Sequence, residues 1–320
     1  MPLIETAEGI RSMQIRGAGR IARAAAGALR DHAREIDAAG LSHFVSFMED
    51  AAELLRSTRP TAVSLPNAIH IVMRDIHQAS DTEEARRSVI RNAEAFIESS
   101  EMAVSRIARM GANQINDGDS VLTHCNSEAA LACIIEAHRQ GREIEVYATE
   151  VRPWNQGHLT IETLNRHEIK THFIVDSAVR VFIHDVDCAI AGADAVCANG
   201  SVINKIGTSQ IALAAYEAGT KMIIAAETYK FAPKTLLGEM IPIEERSGSE
   251  VLPDEMAAKL PFVRVRNPVF DLTPAAYIDS IITEAGVIPP GYAPAIIRDH
   301  LGWDIKMIDR ELQTGSFGSP

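Results

Sequence analysis

Two different spacings of apolar residues divide the chain near residue 115. From Ile4 to about Gly111, apolar residues recur three and four positions apart, as in SVIRNAEAFIESSEMAVSRIARMG, and Ala, Glu and Arg are abundant. This spacing predicts amphipathic helices. After Asn116, short apolar runs alternate with helical segments at a period of about 25 to 35 residues, which predicts β-α-β units and a mainly parallel sheet covered on both faces.

The runs that we expect to form strands are VLTHC, EIEVYATEV, KTHFIVD, DCAIAGADAV, KMIIAAET and FVRVRNPVFDLTP. At 320 residues the chain exceeds the usual size of a single core, so we expect more than one domain. The sequence predicts an α/β protein with an all-helical N-terminal domain (1–115), a second domain built on the parallel sheet (116–312) and a flexible tail (313–320).

The net charge of the chain and the spacing of its cysteines argue against several classes of ligand and partner. Lys and Arg number 31 against 43 Asp and Glu, a net charge of −12, which disfavours nonspecific binding to nucleic acid or to an anionic membrane. No apolar run approaches a membrane span, and the start MPLIETAEGIRSM lacks the regions of a signal peptide, so we expect a cytoplasmic protein. The four cysteines form no C-x-x-C pair, which favours free thiols and indicates no metal site.

In open parallel sheets, ligands bind beyond the carboxyl ends of the strands. The polar residues that follow the predicted strands should therefore meet at one edge of the sheet. They are His124 and Cys125, Glu150 and Arg152, Asp176, Asp194, and the segment from Glu227 to Lys230.

Cys125 is the first chemical candidate at this edge. It follows a strand and precedes a predicted helix, whose dipole and free N–H groups would lower the pKa of the thiol. It could then act as a nucleophile or in proton transfer, whereas the alternative is a small buried hydrophobe. Cys133, Cys188 and Cys197 lie within apolar patterns and are expected to be buried hydrophobes.

Asp194 is the second candidate, at the polar end of the run CAIAGADAVC. Partial desolvation there would raise the pKa of its carboxyl and suit a general acid. The alternative is a helix cap or turn former.

A phosphate cradle is predicted in NGSVINKIGTSQIALAA. Glycines allow close approach of the backbone, a lysine supplies charge, and the following helix start supplies N–H groups. The residues concerned are Gly200, Asn204, Lys205, Gly207, Thr208 and Ser209. The lysine precedes the G-T-S sequence, so this is not a Walker A motif.

The helical half contains two further basic sites. The segment Arg16-Gly17-Ala18-Gly19 resembles half of a dinucleotide fingerprint, but no β-α-β unit surrounds it. We expect instead a glycine-opened turn that presents Arg16 and main-chain N–H groups to an anion. Arg59 precedes a proline that favours an extended backbone, and it is either a second anion contact or an ordinary surface arginine.

Motifs along nearly the whole chain carry a resemblance to one superfamily. They are IRGAGRIARAAA, TRPTAVSL, VLTHCNS, EVRPWNQG, VDSA, AGADAVCANGSVINKIGTSQIALAA, AAETYKF and NPVFDLTPAAYIDSIITEAGVIPP. The sequence resembles the methylthioribose-1-phosphate isomerases, the archaeal ribose-1,5-bisphosphate isomerases and the regulatory subunits of the translation-initiation guanine-nucleotide exchange factor. The resemblance implies a helical N-terminal domain, a Rossmann-like C-terminal domain and no nucleotide cofactor.

Within this superfamily, Cys125 matches the catalytic cysteine and Asp194 the catalytic aspartate of the isomerases. The regulatory subunits typically lack that pair, so the resemblance favours an enzyme; the alternative is a non-catalytic regulatory protein that binds a sugar phosphate. The substrate-binding candidates are Arg16, Gly17, Ala18, Gly19, Arg59, Ser127, Arg152, Asn204, Lys205 and Lys230.

The motifs are divided between the two isomerases. THCN and NQG are similar to the methylthioribose branch, whereas AETYKFAPKTLLGE and ITEAGVIPP are similar to the ribose-bisphosphate branch. Asn126 and Glu128 depart from the latter, which has His and Lys near the cysteine. A bisphosphate needs cations at both ends and a methylthio group needs an apolar slot, so the charge of Lys230 favours ribose 1,5-bisphosphate over methylthioribose 1-phosphate.

The expected reaction is an aldose–ketose isomerisation. Asp194 would protonate the ring oxygen, and Cys125 as a thiolate would carry a proton from C2 to C1; a hydride shift is the rival path. The resemblance also implies a homodimer or a homohexamer, and AMP as a candidate activator.

Overall fold

The structure is a computed structural model that describes residues 2–15, 17–59 and 62–303. It divides into two compact units. Unit 1 contains the chain up to Ala103, residues 229–231 and the described residues from Ile297 onward, whereas unit 2 contains Val104–Thr228 and Ala232–Ile296. The sequence placed a boundary near residue 115, at the end of the helical pattern. The predicted end of the second domain at 312 and the predicted tail lie outside the described residues.

Unit 1 is built on helices, as the spacing of apolar residues predicted. The helices of the N-terminal half are α1 (Leu3–Arg11), α2 (Ala18–Glu35), α3 (Leu41–Arg56), α4 (Ser64–Met73) and α5 (Thr82–Ala112), the last of which runs on into unit 2. One face of α2 is buried and consists largely of alanine, including Ala22, Ala25 and Ala26. These small side chains let α2 pack closely against α3 and α4.

The segment 229–231 is anchored in unit 1 by hydrogen bonds. The buried amide of Asn67 on α4 donates to the carbonyl of Tyr229 at 2.9 Å and to that of Phe231 at 2.7 Å. The Tyr229 hydroxyl lies 3.3 Å from Ser100 Oγ, and its ring contacts Phe96 edge-on. Lys230, which stands between these two anchored residues, is buried, with 8% of its surface exposed.

Unit 2 contains a seven-stranded sheet in the order β11-β10-β7-β4-β1-β2-β3. Six strands are parallel, and only β11 pairs antiparallel, with β10. The prediction of an α/β fold with a mainly parallel sheet is confirmed. The strands are β1 (Ser120–His124), β2 (Glu145–Thr149), β3 (Lys170–Ile174), β4 (Cys188–Gly192), β5 (Ala195–Cys197), β6 (Val202–Lys205), β7 (Lys221–Ala225), β8 (Phe231–Ala232), β9 (Phe270–Thr273), β10 (Ser280–Thr283) and β11 (Gly286–Ile288).

Six α-helices follow β1 in sequence within the described residues. They are α6 (Glu128–Arg139), α7 (Gly157–Arg166), α8 (Val179–Phe182), α9 (Thr208–Ala218), α10 (Asp254–Ala257) and α11 (Ala293–Leu301). Fully buried aliphatic side chains of the central strands, such as Val121, Val146 and Ile190, pack against α6. This core fixes the ends of the strands.

The strand order places a topological switch point between β1 and β4. The chain runs outward from β1 to β2 and β3, then returns to form β4 on the other side of β1. His124 is level with Ala191 across the pair, so the residues that follow β1 and β4 leave the sheet side by side. Ligands of such sheets bind at this crevice.

A second sheet, in the order β8-β5-β6-β9, was not predicted from the sequence. In the run DCAIAGADAV, β4 ends at Gly192, before the half-buried Asp194, and a separate strand that the sequence did not predict, β5, begins at Ala195. In FVRVRNPVFDLTP only Phe270–Thr273 forms a strand, paired antiparallel with β6. This sheet carries Lys205 at the end of β6.

Candidate active site

Cys125 directly follows β1 and has a left-handed backbone, with φ of 65°. Its side chain is half-buried, and its carbonyl accepts a hydrogen bond of 2.7 Å from the hydroxyl of Thr160 on α7. A left-handed non-glycine residue costs about 1–3 kcal/mol and is concentrated at functional sites. The conformation turns the chain sharply between β1 and α6.

The pKa of the Cys125 thiol differs from the prediction. Burial raises the pKa of Cys125 to about 11, with smaller raising effects from Asp194 and Asp176 and a lowering effect from Lys205. The backbone N–H of Asn126 lowers the pKa, as the sequence predicted for this turn, but the expected net lowering was wrong because the effect of burial is larger. Ser127 caps the start of α6, because its hydroxyl accepts from the N–H of Ala130 at 3.3 Å. Desolvation of the thiol outweighs the stabilisation of a thiolate by the other N–H groups of this helix start.

Asp194 stands two residues beyond the end of β4, on the other side of the switch point. Its N–H donates to the carbonyl of Ile203 at 2.9 Å, which holds it between the two sheets of unit 2. The carboxylate interacts electrostatically with both Cys125 and Lys205. The two candidate catalytic residues are therefore brought to one place, and a raised pKa for Asp194 stays a prediction.

Lys205 ends β6 and lies in the same group. Its ammonium is 5.2 Å from the centre of the Phe270 ring. Burial lowers the pKa of Lys205, whereas the negative charges of Cys125 and Asp194 raise it. An ammonium in this position can neutralise negative charge on the thiol or on a ligand.

His124, immediately before Cys125, is buried and forms a hydrogen bond with the residue that follows Lys205. Its Nε2 lies 2.9 Å from the carbonyl of Ile206 and its Nδ1 lies 2.6 Å from the hydroxyl of Thr149. Because a carbonyl only accepts, Nε2 carries the proton and Nδ1 accepts from Thr149. Burial lowers the pKa of His124, which keeps the ring neutral.

The start of α9 differs from the predicted phosphate cradle. The carboxylate of Asp271 on β9 accepts from the N–H of Gly207 at 2.8 Å and from that of Ser209 at 3.1 Å. The amide of Asn204 donates to Thr208 Oγ1 at 3.0 Å. Two main-chain donors that the sequence assigned to a phosphate are thus bonded within the protein.

A shallow cleft beside Lys205, open to solvent, contains three cationic residues and one acidic residue. It is lined by Arg152, Trp154, Gln156, Lys205, Arg246 and Glu250, among others. The guanidinium of Arg246 lies 5.0 Å from the centre of the Trp154 ring.

The backbone around Arg152 is held by Asp176, which accepts from the Arg152 N–H at 2.8 Å. Arg152 was a candidate from the sequence, whereas Arg246 and Trp154 were missed. Arg246 lies in an irregular segment, so no strand end marked it.

The remaining candidates belong to unit 1. Gly17 has φ of 91° and precedes the first residue of α2, so Ala18 and Gly19 form a helix start, as the anion-binding interpretation requires. The guanidinium of Arg59 lies 2.8 Å from Met13 Sδ. Arg16 lies outside the described residues. Substrate contacts by these residues and by Lys230 stay predictions.

Within residues 2–15, 17–59 and 62–303, no three His, Cys, Asp or Glu side chains are grouped as a metal site would require. No helix in the same ranges has the length and apolar character to cross a bilayer.

Comparison with known proteins gives these features a context. The model of the Initiation factor 2 subunit family matches residues 14–290. The ribose 1,5-bisphosphate isomerase of Archaeoglobus fulgidus is 54% identical over 301 residues, 94% of this chain and 94% of the relative. That of Methanocaldococcus jannaschii is 51% identical over 299 residues, 93% of this chain and 95% of the relative.

A solved structure supports the same grouping. The 5-methylthioribose 1-phosphate isomerase of Pyrococcus horikoshii OT3 superposes with a TM-score of 0.74 at 31% identity, covering 94% of this chain and 87% of that chain. The family model and these relatives span both units of the structure. The chain belongs to the Initiation factor 2 subunit family.

Proposed function

We propose that this protein is an aldose–ketose isomerase that converts α-D-ribose 1,5-bisphosphate to D-ribulose 1,5-bisphosphate. The observation that carries the proposal is the convergence of Cys125, Asp194 and Lys205 at the switch point of the sheet. Two relatives named ribose 1,5-bisphosphate isomerase, at 54% and 51% identity over nearly the whole chain, support the same reaction.

The choice of a bisphosphate rests on identity and on charge. The solved 5-methylthioribose 1-phosphate isomerase is a more distant relative, at 31% identity. In a chain with a net charge of −12, the cleft beside the candidate residues is lined by Arg152, Lys205 and Arg246 together with one acid, Glu250. Arg246 is also paired with Glu244 at 3.3 Å. The remaining excess of cations suits phosphate groups, whereas a methylthio group would need an apolar slot.

The first chemical step opens the sugar ring. Asp194 donates a proton to the ring oxygen, and the bond between that oxygen and C1 breaks. The anomeric phosphate stays on C1 throughout, so the free aldehyde of an ordinary aldose never forms.

The second step moves the proton. The Cys125 thiolate removes the proton from C2, which gives a C1–C2 enol, and the thiol then returns a proton to C1. The C2 hydroxyl loses its proton to the Asp194 carboxylate as the ketone forms. The acid and the base are both restored, so protons balance over the cycle.

The thiolate needs an explanation, because the pKa of Cys125 is raised to about 11. The Asp194 carboxylate is one of the groups that raise this pKa, and Lys205 lowers it. A proton transferred from the thiol to Asp194 leaves the net charge of the pair unchanged, removes the repulsion from Asp194 and keeps the attraction of Lys205. That form of the pair is the one that the reaction requires.

Direct assay tests the proposal. Purified protein is incubated with ribose 1,5-bisphosphate or with methylthioribose 1-phosphate, with and without AMP, and the ketose product is measured. We expect turnover of the bisphosphate, and turnover by Cys125→Ser that is lower by a factor on the order of 10² to 10⁴. Preferred turnover of methylthioribose 1-phosphate would transfer the assignment to that reaction, and saturable binding without turnover of either would indicate a regulatory protein.

The proton path is tested in heavy water. An enol intermediate predicts solvent deuterium at C1 of ribulose 1,5-bisphosphate, because Cys125 exchanges its proton with solvent. Product without deuterium would favour a hydride shift from C2 to C1.

We also propose substrate contacts from Ser127, Asn204, Arg59 and Lys230. We further propose that AMP activates the enzyme, that the protein is cytoplasmic, and that it assembles as a homodimer or a homohexamer. Light scattering of the purified protein measures the oligomer. Lys230→Met should lower turnover of the bisphosphate more than that of methylthioribose 1-phosphate; equal effects would remove Lys230 from the second phosphate.

A further inference from the structure

The turn that follows Lys205 is fixed by a carboxylate from a distant strand. Asp271 is level with Asn204 in the pairing of β6 with β9, and it accepts from the N–H groups of Gly207 and Ser209 at 2.8 and 3.1 Å. The carboxylate therefore lies at the start of α9, where the helix dipole favours negative charge. Charge-assisted hydrogen bonds of this kind are stronger than neutral ones.

The same turn is fixed on its other side by the strand that carries the thiol. His124 donates to the carbonyl of Ile206, and its Cε1 would lie 2.9 Å from a Cβ placed on Gly207. With φ of 105° and no room for a side chain, position 207 requires glycine. The backbone of the turn is thus pressed against the residue that precedes Cys125.

These hydrogen bonds of Asp271 and His124 with the turn fix the position of Lys205, which immediately precedes it. Its carbonyl accepts from Thr208 Oγ1 at 2.7 Å, its side chain lies over Phe270, and its ammonium acts on Cys125 and Asp194. Movement of the turn would carry the ammonium away from the thiol.

We propose that Asp271 is a positioning residue of the isomerase: its carboxylate holds the turn 205–209 so that the ammonium of Lys205 stays beside Cys125. The inference deepens the proposed function, because it assigns to Asp271 the support of the proposed base. Asp271 itself contacts only the main chain of the turn in the hydrogen bonds given above and performs no proton transfer.

Asp271→Asn is the direct test, because asparagine keeps the size of the side chain and removes its charge. The matched control is Asp279→Asn. Asp279 likewise accepts from a main-chain N–H, that of Met222 at 2.7 Å. It lies at the amino ends of β7 and β10, at the edge of the seven-stranded sheet opposite to the edge where Cys125 follows β1.

The readout is the rate of Cys125 alkylation by iodoacetamide between about pH 8 and pH 10, followed by peptide mass spectrometry. With the ammonium displaced, less thiolate is present, so we expect alkylation of Asp271→Asn to be about three- to tenfold slower throughout this range. We expect kcat/KM to fall about 10- to 100-fold, as it does when a catalytic group is displaced. Asp279→Asn should stay within about twofold of the wild type in both measurements.

A second comparison separates positioning from a general structural defect. In a Lys205→Met background there is no ammonium to place, so adding Asp271→Asn should slow alkylation no further. Circular dichroism confirms folding of each variant; if Asp271→Asn does not fold, Asp271→Ser, an uncharged acceptor, replaces it in both backgrounds.

Unchanged alkylation in the single variant, or further slowing in the Lys205→Met background, would overturn the inference. Alkylation requires no turnover, so this result is independent of whether ribose 1,5-bisphosphate is the substrate.

Discussion

The starts of α6 and α9 present the same local pattern and serve different purposes. Both follow a strand end, both have a candidate catalytic or binding residue just before them, and the sequence predicted an anion at each. At α6, Ser127 supplies a local cap, and burial keeps the pKa of Cys125 at about 11. At α9, the anion at the helix start is the carboxylate of Asp271, which belongs to the protein itself.

The difference shows what makes a helix start available to a ligand. The dipole and the N–H groups are present in both helices, so they do not decide the outcome. The deciding factor is whether another group of the chain already accepts hydrogen bonds from these N–H groups. At α9 that group lies 64 residues away in sequence from Gly207, beyond the reach of a local motif.

The largest expected effect tests the α6 side of this comparison. Cys125→Ser and Asp194→Asn should each lower kcat by a factor on the order of 10² to 10⁴, because each removes a group that transfers protons in the reaction. Steady-state kinetics with ribose 1,5-bisphosphate measures the loss. Cys133→Ser is the matched control, since Cys133 lies on α6 and its thiol donates to the carbonyl of Ala129, as a serine hydroxyl also can. Near-normal turnover by Cys125→Ser would remove the thiol from the mechanism.

A smaller effect is expected from the α9 side. Lys205→Met removes the charge that lowers the pKa of Cys125, so kcat/KM should fall about 10- to 100-fold and the thiol should react more slowly with iodoacetamide at each pH. Lys221→Met is the control, because the charge of Lys221 acts on Cys188 at the start of β4. If alkylation of Cys125 responded equally to both variants, the pairing of Lys205 with the thiol would be refuted.

The sequence predicted the parts of this arrangement that depend on local pattern. Alternating apolar runs predicted the parallel sheet, and the rule for strand ends brought Cys125 and Asp194 together because those runs end where the chain leaves the sheet. The second sheet and the occupied start of α9 could not be predicted, since both depend on the pairing of β6 with β9 across more than sixty residues. Arg246 was missed for a similar reason: it reaches the cleft from an irregular segment.

The pH dependence of stability tests the α9 side without any substrate. Burial raises the pKa of Asp271 from 3.8 to about 6. Burial favours the protonated carboxyl more strongly than the N–H groups of Gly207 and Ser209 favour the carboxylate. The contribution of Asp271 to the free energy of unfolding is therefore fully present below pH 3.8 and is lost as the pH rises through about 6.

Relative to Asp271→Asn, the wild type should therefore lose about 2 kcal/mol of stability between about pH 4 and pH 7.5. Denaturant unfolding at the two pH values measures the difference, and Asp279→Asn provides the reference for a carboxylate at the other edge of the sheet. A gap between wild type and Asp271→Asn that does not change with pH would show that burial does not control the titration of Asp271.

The smallest effect returns to the backbone of Cys125. A left-handed conformation strains any residue with a Cβ, and glycine adopts it without that strain. Cys125→Gly and Cys125→Ala both lack the thiol, so their comparison isolates the backbone. We expect the glycine variant to be more stable by up to about 1 kcal/mol, since relief of strain exceeds the entropy that glycine adds to the unfolded state. Equal stability, or a more stable alanine variant, would show that the turn after β1 stores no strain, and that its shape follows from the hydrogen bond of Thr160 to the Cys125 carbonyl.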